Sequence, residues 1–205
     1  MNAVNQSISD YIHTSKEGYQ HVLPWFQQLK SNGLNPLAIT MDGEQSVMRA
    51  IRETWPLTKI QRCLYHIVRQ GLSWLRTFPK TQAGQELRTI LSTLASVKSF
   101  KDRDVFMELF HSWINAHYVF IKNLPHATIE FKDLKRTVTL IKNALPDMFH
   151  FLTDPHIPST TNALEGFYSR LKSDYQRHRG LSSQSRINYL NWYCYFKNRA
   201  ISNTN

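Results

Sequence analysis

The sequence predicts an α/β protein that is mostly helical overall, with few strands and with its α/β segment interrupted by an all-helical block. Three observations predict it. Residues 1–66 read helix, strand, helix, strand, the order that builds a parallel sheet. Residues 67–150 carry apolar stripes at helical spacing and no alternating pattern. Residues 151–205 open on a Pro-bounded loop and return to two helices, the second rich in aromatic residues. The expected segments are therefore 1–66, 67–150 and 151–205.

Each element has its own signal. The first fifteen residues are polar and read as frayed. From Lys16 to Lys30 the apolar positions Tyr19, Val22, Leu23, Phe26 and Leu29 recur at helical spacing, and Asn32-Gly33 stops the run. Pro36 to Met41 is a short apolar run closing in Asp42-Gly43, a buried strand with its turn. Val47, Met48, Ile51 and Trp55 mark a helix that Pro56 ends, and Leu57 to Cys63 reads as a second strand. Beyond His66 the helical block breaks near Pro79, Ser99 and Pro125. One of its helices has a wide stripe of Val105, Phe106, Leu109, Phe110, Trp113, Ile114 and Ile121; the next has Leu134, Val138, Ile141 and Leu145. After the loop Asp154 to Pro158, a helix is expected from about Asn162 to Arg177, a turn at His178-Arg179-Gly180, and a last helix from Ser183 to about Asn198.

Lys and Arg number 25 against 15 Asp and Glu, a formal net charge of +10. That excess steers a chain toward polyanions, nucleic acid first among them; a merely basic surface is the plainer alternative. Two cysteines are too few for a disulfide framework and fit a reducing compartment. No signal-peptide pattern and no membrane-spanning apolar run is present. The cytoplasm, or the nucleoid in a bacterium, is the expected location, and a membrane partner is not expected.

Four places carry candidate chemistry. Asp42 ends a predicted strand, where open α/β sheets place their ligand sites, and a carboxylate there is a hard-cation ligand; Asp-Gly also makes a turn without any ligand. Cys63 and His66 lie one helical turn apart and share a face. The pair is half of a zinc site, with His156 or Cys194 as completions, or it is a buried Cys beside a hydrogen-bonding His. Glu165 opens a helix, as a metal ligand or as the third-position partner of an Asn162 N-cap in a capping box. Arg170, Lys172, Arg177 and Arg179 form a basic run suited to phosphate or simply a solvated face. The aromatics from Trp192 to Phe196 stack on bases if exposed, but packing is the expected use.

Read together, LAITMDGEQSVMRAI, IQRCLYHIVRQ and TTNALEGFYSRLKSDYQRHRGL resemble the Mutator-type bacterial insertion-sequence transposases, relatives of the eukaryotic MULE group. The likeness runs from about Glu17 onward. It rests on D-G followed by Q-R-C-x-x-H, and on a T-N-x-x-E-G helix leading to H-R-G-L. The resemblance implies an RNase H-like fold with a DDE triad and a helical insertion before the third acid, which is where residues 67–150 fall. By position it makes Asp42 the second acid and Glu165 the third, with Cys63 and His66 as active-site support and Arg170, Lys172, Arg177 and Arg179 as DNA contacts. It implies Mg²⁺ or Mn²⁺ held in a two-metal site that serves an in-line displacement at phosphorus. DNA, as element ends and target, is the implied partner, with self-association or a full-length transposase beside it.

The family's first acid lies on a strand upstream of the helix that leads to Asp42. Some fifteen polar residues precede that helix here, and Asp10 among them is no substitute. The expectation is an N-terminally truncated chain with an incomplete site, which alone does not cleave DNA. A non-catalytic DNA-binding remnant that modulates a full-length enzyme is the alternative, and another RNase H-like nuclease is a third.

Overall fold

The computed structural model describes residues 1–12, 14, 18–178 and 180–202, the side chain of residue 202 excepted. Two compact units emerge, each assembled from separated stretches of chain. The first comprises Met1–Leu37, Glu44–Thr58 and Thr161–Asn205; the second comprises Ala38–Gly43 and Lys59–Thr160. Among the described residues the protein is mostly helical, with a small two-stranded sheet, so the α/β expectation holds only in that reduced form.

In the first unit, α1 (Tyr19–Ser31) pairs with α2 (Gln45–Thr54). Lys16, where the first helix was expected to begin, lies outside the described residues. Val22 and Phe26 bury one face of α1, and Met48, Ala50 and Ile51 bury the facing side of α2. Trp55 closes the pair: its ring packs 5.2 Å from Phe26 and its indole N–H donates to the Leu34 carbonyl at 2.9 Å. The same unit holds α7 (Asn162–Gln176) and α8 (Ser183–Ser202). Phe167 and Leu171 of α7 meet Cys194 of α8 and Ile8 of the amino-terminal stretch.

That stretch is not frayed over residues 1–12. Asn198 grips it with both ends of its amide, accepting from the Ile8 N–H at 2.7 Å and donating to the Ile8 carbonyl at 2.9 Å. Asp10 accepts from the Trp25 indole at 2.9 Å and from the Tyr11 N–H at 2.8 Å, so its carboxylate is used locally.

In the second unit, β1 (Ala38–Met41) and β2 (Lys59–Arg62) pair in parallel with Ala38 opposite Lys59 and Met41 opposite Arg62, the arrangement the helix–strand alternation predicts. Four helices follow: α3 (Leu64–Leu75), α4 (Gln82–Thr93), α5 (Phe100–Asn123) and α6 (Ile129–Ala144). Their core holds Ile67, Leu87, Leu91, Leu94, Phe106, Phe110, Leu134, Ile141 and Met148. The α5 stripe is narrower than the sequence suggests. Phe106, Phe110 and Trp113 are buried, whereas Val105 and Leu109 are exposed. Trp113 reaches the Ala83 carbonyl at 3.0 Å, so its one polar atom is satisfied inside the core.

A capping box starts α5, with the Asp102 N–H bonded to Ser99 Oγ and the Ser99 N–H bonded to the Asp102 carboxylate. The N–H groups of Lys98 and Ser99 and the Ser99 hydroxyl hold the Asp102 carboxyl below the usual carboxylate range. A depressed carboxylate contributes stability that is present at neutral pH and is lost as pH falls through its lowered value. Ser99→Ala is expected to cost about 1 kcal/mol in urea unfolding at pH 7. The gap between variant and parent should narrow on acidification, when Asp102 protonates in both.

Candidate functional site

Cys63 N–H donates to the Met41 carbonyl at 2.7 Å, carrying the parallel pairing one step past the strands and fixing where each chain turns away. Asp42 is exposed there, at the carboxyl end of β1. Gly43 follows with φ +97°, a conformation costly for any residue with a Cβ. Space forbids a Cβ as well: at Gly43 it would lie 2.0 Å from Cζ and from Nε of Arg62.

Arg62 lies against this turn. It is only 4% exposed, and its Nη2 donates to the Asp42 carbonyl at 3.2 Å. Its Nε is buried and has no hydrogen-bond partner among the described residues. Burial pushes the Arg62 pKa down, and the nearby Asp147, Asp42 and Cys63 oppose that shift. The sequence reading did not single out Arg62, although it stands in the Q-R-C-x-x-H segment. It also missed Asp147, which sits in a short 3₁₀ turn (Leu145–Asp147) with His150 Nε2 at 3.8 Å. The turn reading and the ligand reading of Asp42 are compatible: Arg62 takes the backbone carbonyl of Asp42.

Gln61 is fully buried, and both its amide N–H groups and its carbonyl oxygen are engaged. Nε2 donates to the carbonyls of Arg62 and Met148, at 2.8 and 2.7 Å, and Oε1 accepts from the Phe151 N–H at 3.1 Å. One side chain thereby ties β2 to the chain leaving the helical block. Thr40, the register partner of Gln61, donates its hydroxyl to the Pro158 carbonyl at 2.8 Å, and the Leu64 N–H donates to the Ser159 carbonyl at 2.9 Å.

Cys63 is the residue before α3, wholly buried, and its sulfur lies 3.2 Å from His66 Nδ1 one turn into the helix. The geometry brings the predicted pair together. Of the proposed completions of a zinc site, exposed His156 is paired with Asp154 at 3.1 Å. Cys194 packs within the first unit against Ile8, Phe167 and Leu171, where burial pushes its thiol pKa up.

Glu165 stands in the first turn of α7, half-buried, and accepts a hydrogen bond from the Thr161 hydroxyl at 2.7 Å. The expected capping box is not formed. Thr161, not Asn162, is the N-cap, and its side chain makes no capping bond. With Thr160, Thr161 and Asn162 all suited to the position, composition alone does not choose among them. Arg170, Lys172 and Arg177 are exposed along α7, with Arg177 3.8 Å from Asp174. Arg179 lies outside the described residues. Arg170 and Arg177 are two turns apart and share a face.

Packing was the expected use of the α8 aromatics, and that is corrected for three of them. Trp192, Tyr195 and Phe196 are 58%, 51% and 56% exposed, while Tyr193 and Cys194 take the buried side. No helix among the described residues is long and apolar enough to cross a membrane.

The strand-end carboxylate, the Cys–His pair and the basic helix with a glutamate in its first turn are the features on which the resemblance to transposases rests. Residues 5–181 match the family model described as "Transposase, Mutator family", and the chain belongs to that family. No curated protein and no solved structure matches it. Membership implies DNA as partner and the divalent-metal dependence typical of transposases.

Proposed function

We propose that this Mutator-family chain serves the metal-dependent cleavage and transfer of DNA strands in the transposition of an insertion sequence, by DDE-type chemistry on an RNase H-like framework. Asp42 and Glu165 are the carboxylates that hold Mg²⁺ or Mn²⁺. The observation that carries the reading is the Asp42 turn, an exposed carboxylate at a strand's carboxyl end on a backbone braced by a buried arginine. Connectivity is the support for Glu165. Ser159, whose carbonyl is tied to the first residue of α3, precedes Glu165 by six residues.

The donor chemistry fits. Carboxylate oxygens suit small hard cations better than a thiol does, so Asp42 and Glu165 are the assigned ligands and Cys63 with His66 supports the corner after β2. A divalent cation between carboxylates supplies charge stabilisation for the attacking and leaving oxygens of an in-line displacement. The chain's own residues bind and orient. Arg170, Lys172, Arg177 and Arg179 take phosphates, and Glu165 stands in the first turn of α7.

The test is Mn²⁺ binding, followed by the electron paramagnetic resonance of free Mn²⁺. Asp42→Asn and Glu165→Gln should each weaken binding at least as much as the roughly 10–100-fold that loss of an outer-shell partner costs. Their double variant should be scarcely worse than either, because two ligands of one cation are coupled. Additive losses, or none, defeat the shared-cation assignment. Duplex binding should weaken steeply with salt, with a log–log slope near about −3.6 if four phosphates are neutralised. Arg170→Gln with Arg177→Gln should remove about 2 from that slope. Steep salt dependence without coupled Mn²⁺ binding would leave the DNA-binding, non-catalytic alternative.

A further inference from the structure

The last helix has two apolar faces, and among the described residues only one of them packs into a core. Leu190, Tyr193 and Cys194 turn inward to Ile8, Phe167 and Leu171. Trp192, Tyr195 and Phe196 stand at i, i+3 and i+4 on another side and point into solvent. They are organised among themselves. The Trp192 and Phe196 rings lie 5.7 Å apart with planes 26° from parallel, and Tyr195 stands at 90° to Trp192 at 5.6 Å. Arg199, exposed and one turn beyond Tyr195 and Phe196, continues the same face.

Charge decides what such a face fits. Asp174 is the last acidic residue of the sequence, so α8 carries Arg186, Lys197 and Arg199 with no carboxylate to balance them. A partner helix would meet three large rings with Arg199 on the same face and no carboxylate on α8 to balance it. A polyanion with flat apolar faces would meet complementary charge and stacking partners together. Unpaired nucleotides are that ligand, since a duplex hides its base faces inside the stack and a single strand offers them. Aromatic platforms beside cationic side chains are the general solution for such strands.

We propose that the Trp192–Tyr195–Phe196 face of α8, with Arg199, is a stacking platform for unpaired DNA bases, distinct from the phosphate contacts assigned to α7. It rests on the reading that the chain binds DNA, and it adds that single-stranded and duplex DNA use different residues.

Binding of the full chain to a labelled oligothymidine and to a duplex of equal length tests it, with sedimentation run in parallel. Trp192→Ala is expected to weaken oligothymidine binding about tenfold or more and to leave duplex binding within about twofold. Trp192→Phe, which keeps a flat ring, should retain most of the affinity, a rescue that loss of fold would not give. Arg199→Gln should lower oligothymidine affinity and its salt dependence together. Unchanged oligothymidine binding by Trp192→Ala overturns the platform while DNA binding by α7 stands. A dimer that Trp192→Ala dissociates overturns it in favour of a face between two copies. Failure of the parent chain to bind either DNA ends both this proposal and the reading it rests on.

Discussion

Gly43→Ala is expected to destabilise the protein by about 2–5 kcal/mol, read as a lowered urea midpoint. Two costs add. At φ +97° a Cβ meets its own backbone, worth roughly 1–2 kcal/mol. The Cβ would also stand 2.0 Å from the Arg62 guanidinium, which is buried and has to be displaced, for roughly 1–3 kcal/mol more. The two costs are separable. In an Arg62→Ala background the steric part disappears and the conformational part remains, so the same substitution should cost about 1–2 kcal/mol there. Equal costs in both backgrounds would mean that Arg62 does not occupy the space next to the turn. Because Arg62 holds the Asp42 carbonyl, Gly43→Ala should also shift the carboxylate and weaken Mn²⁺ binding even in the molecules that remain folded.

Gln61→Leu has the second large effect, about 2–4 kcal/mol. Leucine nearly fills the volume, so the loss is polar. The Met148 carbonyl and the Phe151 N–H lose their partner inside the second unit, at about 1–3 kcal/mol for each buried group left unsatisfied. Gln61→Glu separates bonding from volume. It keeps the acceptor toward Phe151 and loses the donor toward Met148, leaving a carboxylate against a carbonyl. It should be at least as destabilising at neutral pH and should recover as pH falls and the side chain protonates into a donor. Urea titrations at pH 7 and pH 5 check both.

The sequence made some of this legible and hid the rest for physical reasons. An apolar run closed by Asp-Gly located the first strand, and the short stretch from Leu57 to Cys63 located the second. The helix breaks at Pro79, Ser99 and Pro125 were legible because caps and prolines act locally. Of the candidate site, Asp42, Cys63, His66 and Glu165 were chosen from motif and position, and the structure adds the reason for the glycine after Asp42. Gln61 and Arg62 were invisible as structural members. A glutamine and an arginine in a strand read as exposed, and only their partners, among them Met148, Phe151 and the Asp42 carbonyl, account for their burial. Ile8 failed likewise, as one apolar residue in a polar stretch whose partner Asn198 stands at the other end of the chain. The α8 aromatics failed for the opposite reason. A helix apolar on two sides gives no periodic signal to say which side is covered.

The Ile8–Asn198 clasp also constrains how the molecule is made. Most of the second unit is continuous, from Lys59 to Thr160, so its helices can meet as they leave the ribosome. The clasp has to wait for 190 further residues, which translation at the usual 5–20 residues per second delivers in roughly 10–40 s. For most of that interval Ile8 has neither Cys194 nor Phe167 to cover it. The stretch around Ile8 thus leaves the ribosome uncovered, and a helix made much later in synthesis covers it.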